Sequence, residues 1–234
     1  RWSVHTLEVF LTRNDLKLVV AKGLDNIAGL ERVYDIVKRY DSLHSSSYVL
    51  GGTNANFWKA GTNHPMGPTV SNGIILKADK YKNWSSVAVL KSGRVMIDTF
   101  DVETALTTTD GSISIDRFNL RRSEEAVVAY TRFYGNTVPF IDTLGILEAS
   151  EDTITDESEI QTVVSSVVDS LWGQYREAGT LKMQFRYLEE PAVNGSVLCQ
   201  VSALDTGIIA IPDDGGVISF GKGNFPLFFS LFEG

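Results

Sequence analysis

The sequence predicts an α+β fold of mostly antiparallel curved sheets with two principal helices, near residues 28–41 and 156–178. Three observations carry this. Short apolar stretches recur at hairpin spacing around Asn72-Gly73, Ser92-Gly93 and Asp110-Gly111. Two longer stretches switch to helical periodicity. The composition, 43% hydrophobic and 21% charged over 234 residues, is that of a packed globular chain rather than a disordered one.

The elements follow in order. Ser3 to Leu11 carries apolar residues on both alternating faces, which predicts a strand buried on most of its surface. Asn14-Asp15 punctuates, and Leu16 to Ala21 reads as the returning strand. Leu30, Val33, Tyr34, Val37 and Tyr40 fall at helical spacing and predict a helix over 28–40, with Lys38 and Arg39 in its last turn. Tyr48 to Leu50 reads as a short strand entering Gly51-Gly52. After Asn72-Gly73, hairpin strands are expected at Ser86 to Leu90 and Arg94 to Thr99, then around Ile113 and Ile115, then from Ala126 to Phe133.

Asp156 caps the second helix, with Glu159 three residues on. Ile160, Val163, Val167 and Leu171 lie on its wide apolar face, and Gly179 marks its end. Strands return at Leu181 to Tyr187, Ser196 to Ala203 and Val217 to Phe220. The run from Phe225 to Phe232 holds four Phe and two Leu, so it is expected to pack inside or to be covered by another chain or segment. No linker or long repeat divides the chain, and a single domain over 1–234 is expected.

Several function classes are disfavoured. The net charge is −8, from 21 basic and 29 acidic residues, where a nucleic-acid binder needs a basic surface. No apolar run approaches the roughly 18 residues of a membrane span. Cys199 stands alone, so an intrachain disulfide or a multi-cysteine metal site is not available. No zinc-protease, nucleophile-elbow, P-loop or dinucleotide motif occurs, and no cofactor or metal is expected. The chain begins at Arg1 rather than Met, which leaves room for a preceding leader or propeptide.

The least generic stretch runs from Gly51 to Leu76, with five Gly, two Pro, four Asn and a His. Its Asn54, Asn56 and His64 suit sugar hydroxyls, and Gly turns can present backbone N–H groups to an anion; the alternative is that the Asn residues hold loop geometry. Arg121-Arg122 offers fork donors for phosphate or carboxylate, or is a surface pair balanced by Glu124 and Glu125. Trp58 and Trp84 are either sugar platforms or core. His5 reads as structural and His44 as exposed.

Five blocks, taken together and in order, resemble the phosphodiester glycosidases. They are Thr53-Asn54-Ala55-Asn56-Phe57-Trp58; Gly61, Pro65-Met66-Gly67 and Ser71-Asn72-Gly73; Ser92-Gly93-Arg94-Val95; Asn119-Leu120-Arg121-Arg122 with Ala129-Tyr130-Thr131; and Ile211-Pro212-Asp213-Asp214-Gly215-Gly216-Val217-Ile218-Ser219. The resemblance covers about residues 3 to 224 and corresponds to the N-terminal part of the family domain. The family's Arg-Thr-Ala-x-Gly strand and Asp-Gly-Gly-Gly-Ser-Ser motif do not occur, and 141–179 looks like an insertion.

The resemblance implies an exported bacterial hydrolase, secreted, periplasmic or on the cell surface. It would release free sugar from a sugar-1-phosphodiester. Arg122, with Arg121, would hold the phosphate, while Asn54 and Asn56 bind sugar or order the loop. No catalytic carboxylate is assigned; Asp116, Asp213 and Asp214 are the ones to inspect. This chain alone is expected to be a poor catalyst. The alternative is a non-catalytic carbohydrate- or cell-envelope-binding relative.

Overall fold

The computed structural model describes residues 8, 10, 13, 15–120, 122, 125–139, 177 and 179–232; at 227 and 230–232 it describes the backbone alone. The fold is sheet-rich and mostly antiparallel. The chain divides into two compact units, Arg1–Val102 with Pro191–Gly195, and Glu103–Glu190 with Ser196–Gly234.

The first unit holds helix α1 (Val33–Leu43) and two hairpins, β1 (Thr69–Ser71) with β2 (Ile74–Lys77), and β3 (Ser86–Val89) with β4 (Val95–Asp98). The β1–β2 turn is the one expected from Asn-Gly. Asn72 has φ 48° and Gly73 φ 78°, the left-handed pair that a two-residue hairpin turn requires. Gly73 is needed twice over, because a Cβ there would lie 2.0 Å from the Pro191 carbonyl oxygen.

Helix α1 starts five residues later than the periodicity suggested. Leu24 and Asp25 sit at positive φ, and the Asn26 Oδ1 accepts the Ala28 N–H at 2.9 Å, so the backbone before Arg32 is committed to turns. Arg39 does not cap the last turn of α1. Its guanidinium reaches sideways to Asp25 and to Glu31 Oε2, the latter at 2.9 Å. Tyr48 to Leu50 and Leu16 to Ala21 are not strands. The latter segment is tied instead by the Ser71 hydroxyl, which donates to the Val20 carbonyl. Of the strand expected over Ser3 to Leu11 only Glu8 and Phe10 are described, and of the helix expected over 156–178 only Glu177; the rest of both lies outside the described residues.

The second unit is built on a five-stranded sheet, β11 (Cys199–Asp205), β10 (Leu181–Tyr187), β13 (Gly215–Phe220), β8 (Val128–Tyr130) and β7 (Arg117–Phe118), in that spatial order. Its strand pairs are antiparallel except β7–β8. Two short pairs flank it, β5 (Ala105–Thr107) with β6 (Ser112–Ser114), and β9 (Thr137–Val138) with β12 (Ile209–Ala210).

Strand β13 is buried along its whole length, and Val128, Tyr130, Val138, Ile209, Ile211 and Val217 form one cluster of this unit's core. Gly216 lets β13 lie under a neighbour: a Cβ there would be 2.7 Å from the Tyr130 carbonyl oxygen and 2.9 Å from the Phe185 ring. The apolar tail forms a helix, α2 (Phe225–Phe232). Phe228 is buried with its ring 4.9 Å from that of Phe220, Phe225 is half-buried, and Phe229 is exposed. Among the described residues no helix is long and apolar enough to cross a membrane.

Candidate functional site

The Gly- and Asn-rich stretch folds in the first unit as a small hairpin. The Met66 N–H donates to the Phe57 carbonyl at 2.9 Å, Trp58 bridges Pro65, and the Lys59 N–H donates to the His64 carbonyl at 2.9 Å. Gly61 (φ 84°) and Asn63 (φ 57°) turn the chain between them. Directly opposed residues of an antiparallel pair project to the same side, and alternate residues share a face. Phe57, Lys59, His64 and Met66 therefore share one face of this hairpin, and Trp58 and Pro65 the other.

Three aromatic rings gather around Trp84. The Phe57 ring lies 5.8 Å from it at 71°, and the Tyr81 ring 4.8 Å from it at 79°. Phe57 is 67% exposed, Trp84 47% and the neighbouring Trp58 53%, so none of these is core, while Tyr81 is half-buried. Asn54 and Asn56 are exposed beside them in sequence. The Asn56 Oδ1 accepts the Phe57 N–H at 2.7 Å, so its oxygen shapes the loop while its amide N–H groups face no partner among the described residues.

His64 is half-buried. Its pKa is lowered from 6.5, first by burial and then by the charges of Lys77, Lys22 and Lys59, with Asp79 opposing. Lys77 donates from Nζ to the Pro65 carbonyl at 2.9 Å, and Lys22 from Nζ to the Gly29 carbonyl. The surface here offers flat aromatic faces, amide donors and ammonium groups, a combination suited to a sugar bearing an anionic group.

The second unit contains a buried polar cluster. Arg122 is 2% exposed and Glu177 4%. The Arg122 Nε donates to Glu177 Oε1 at 2.9 Å, and the Tyr130 hydroxyl donates to the same oxygen at 2.6 Å. Ser219 and Thr180 hydroxyls donate to Glu177 Oε2, the latter at 3.1 Å. Arg122 Nη1 donates to the Ala126 carbonyl, and Nη2 is buried without a hydrogen-bond partner among the described residues.

Lys182 is fully buried and donates to the carbonyls of Glu177 (2.8 Å), Thr180 and Thr206 (3.2 Å each). Burial lowers its pKa to about 8, against the stabilising charge of Glu177. Burial likewise holds the Tyr130 hydroxyl well above its usual value, with Glu177 adding to the effect. Asn119, at φ 50°, grips Thr131 through two bonds: its Oδ1 accepts the Thr131 N–H at 2.7 Å, and its Nδ2 donates to Oγ1 at 3.0 Å.

Arg121 lies outside the described residues. Arg122 belongs to the second unit, and Asn54, Asn56 and His64 to the first. Asp116 accepts the Val127 N–H at 2.8 Å, Asp214 pairs with Arg186 Nη1, and Asp213 is exposed. Sequence reasoning did not single out Glu177, which sits at the end of an expected amphipathic helix and looks there like one more solvated acid. Nor did it find the lysines around His64, which are separated along the chain and carry no common motif.

No family model matches the chain, and no curated protein matches it. A solved structure described as a hypothetical protein from Synechocystis is similar over 86% of this chain, with a TM-score of 0.44 and 13% identity; the chain spans 29% of that protein's length.

Proposed function

We propose that the chain is part of a protein that binds a sugar-1-phosphodiester and cleaves its C1–O bond, releasing free sugar from a phosphate ester. The observation that supports this reading is the aromatic group of Phe57, Trp84 and Tyr81, exposed at Phe57 and Trp84, whose Phe57 lies on the hairpin that also carries His64, in sequence beside the exposed amides of Asn54 and Asn56. Aromatic faces take the apolar CH surface of a pyranose ring, and amides orient its hydroxyls. The group that departs is a phosphate monoester, already a stable anion, so the reaction asks less of a general acid than an ordinary glycoside does. In this reading Arg122 organises the buried Glu177 cluster and the first unit meets the substrate.

A second reading, a carbohydrate- or cell-envelope-binding protein without catalysis, is favoured by the state of the carboxylates. Asp116 is engaged by backbone and Asp214 by Arg186. One experiment separates the two. The full-length protein that contains this chain is incubated with a hexose-1-phosphate methyl ester, while free reducing sugar and complex formation are both measured. Turnover that falls in Trp84→Ala supports the hydrolase. Binding without turnover, weakened about fivefold to tenfold in Trp84→Ala, supports the binding protein. Neither binding nor turnover refutes both.

A further inference from the structure

In a protein of net charge −8, two lysines and a histidine meet at one hairpin of the first unit, and the charge of a third lysine, Lys22, reaches the histidine. We propose that Lys22, Lys59, Lys77 and His64 form an anion subsite that takes the phosphate group of the ligand. This deepens the sugar-phosphodiester reading and rests on it only for the choice of anion.

The geometry is specific. Lys59 and His64 are cross-strand partners, joined by the 2.9 Å bond from the Lys59 N–H to the His64 carbonyl, and their side chains leave the hairpin on the same face. Lys77, at the end of β2, reaches the next residue of that hairpin through its bond to the Pro65 carbonyl. Lys22 is held by the Gly29 carbonyl. Each ammonium has three N–H donors, and the bonds described engage one of those of Lys22 and one of those of Lys77. The remaining donors, with an imidazole N–H, give the tripod of donors that phosphate oxygens accept.

The charge balance points the same way. Among the described residues, the charges of three ammonium groups act on His64 against the opposing carboxylate of Asp79. Lys22, Lys77 and His64 are half-buried, so part of their hydration is lost and their mutual repulsion is not fully screened. An anion seated among them relieves that repulsion. Phe57 shares the face of Lys59 and His64 and packs edge-on to Trp84. A phosphate held by the lysines thus lies along the same face as the aromatic rings that would cover the sugar, which is the arrangement a sugar phosphate needs.

The test is the titration of the His64 imidazole, followed by NMR and assigned by its loss in His64→Gln. Inorganic phosphate is compared with chloride at matched ionic strength, because salt alone screens the lysines and also raises the imidazole pKa. The expected result is a larger upward shift in phosphate, saturable with phosphate concentration. Lys59→Met, at an exposed position that folding tolerates, weakens phosphate binding about fivefold, while the exposed Lys17→Met does not. Equal shifts in phosphate and chloride overturn the subsite, as does unchanged phosphate affinity in Lys59→Met. The outcome is independent of turnover: phosphate binding without hydrolysis leaves the subsite standing and removes the hydrolase. Hydrolysis of the methyl ester with an unchanged KM in Lys59→Met removes the subsite and leaves the hydrolase.

Discussion

Glu177 shows how one side chain can organise a neighbourhood. Its two carboxylate oxygens accept from Arg122, Tyr130, Thr180 and Ser219, and its carbonyl accepts from Lys182. Arg122, Tyr130 and Ser219 come from separate stretches of the chain. A buried pair of this kind adds little over a well-packed apolar replacement, but breaking it strands a charge. Glu177→Gln is therefore expected to cost about 3–5 kcal/mol in urea unfolding, because Arg122 stays buried without its counter-charge. Converting both partners together, Arg122→Met with Glu177→Met, should recover the part of that loss due to the stranded charge, while the buried Tyr130 and Ser219 hydroxyls lose their acceptor. If the double variant is as unstable as the two single losses added, the pair is not coupled and this account is wrong.

At His64 the sign of the pH effect follows from the direction of its shift. The folded pKa is lowered from 6.5, so the unfolded chain binds the proton more readily. The resulting stability is present above pH 6.5 and is lost as pH falls through the folded value. His64→Gln should flatten that acid limb, measured as unfolding free energy against pH, and the limb should remain in His44→Gln.

Among the elements, the β1–β2 hairpin is the most legible part of the first unit, because its turn chemistry is local. Asn72-Gly73 needs positive φ at both positions whatever surrounds it. Gly73→Ala adds backbone strain and a contact with the Pro191 carbonyl, and a loss of about 1–3 kcal/mol is expected on thermal unfolding. Asn72→Gly keeps the turn and should be tolerated.

Strand β10 was also legible, and its bounds, Leu181 and Tyr187, are those expected from the sequence. Elsewhere local pattern was overridden. The period of α1 extends back to Leu30, yet the turn at Asn26 and the left-handed backbone at Leu24 and Asp25 hold that stretch out of the helix. Tyr48 to Leu50 is apolar enough for a strand, but no described segment pairs with it. Side-chain placement was legible only in part. The aromatic and amide residues of the loop stood out by composition, whereas the lysines that surround His64 come together through tertiary contacts, and so do the partners of Glu177.

On the scale of the molecule, the alkaline response of the second unit is set by its buried groups. Lys182 titrates at about 8 when folded and 10.5 when free, so stability rises with pH across that window. Tyr187, pushed up to about 12 from 10, acts in the opposite sense above pH 10, and so does Tyr130. Cys199, raised from 9.0 by burial, adds a smaller opposing slope. Unfolding free energy is expected to climb from pH 8 to near 10 and to fall beyond it. Lys182→Met should remove the climb while leaving the fall.

The five residues Pro191–Gly195 belong to the first unit although both flanking stretches belong to the second. During synthesis the chain emerges in order, so residues 1–102 leave the ribosome long before their last contributor. The Asn72-Gly73 turn can form on its own, but its contact with Pro191 has to wait until the residues of strand β10 have been synthesised. The first unit is therefore complete only once residue 195 has emerged, and the second only after β13 and α2 have followed; a gene cut after residue 102 would express a piece with one contact surface permanently missing.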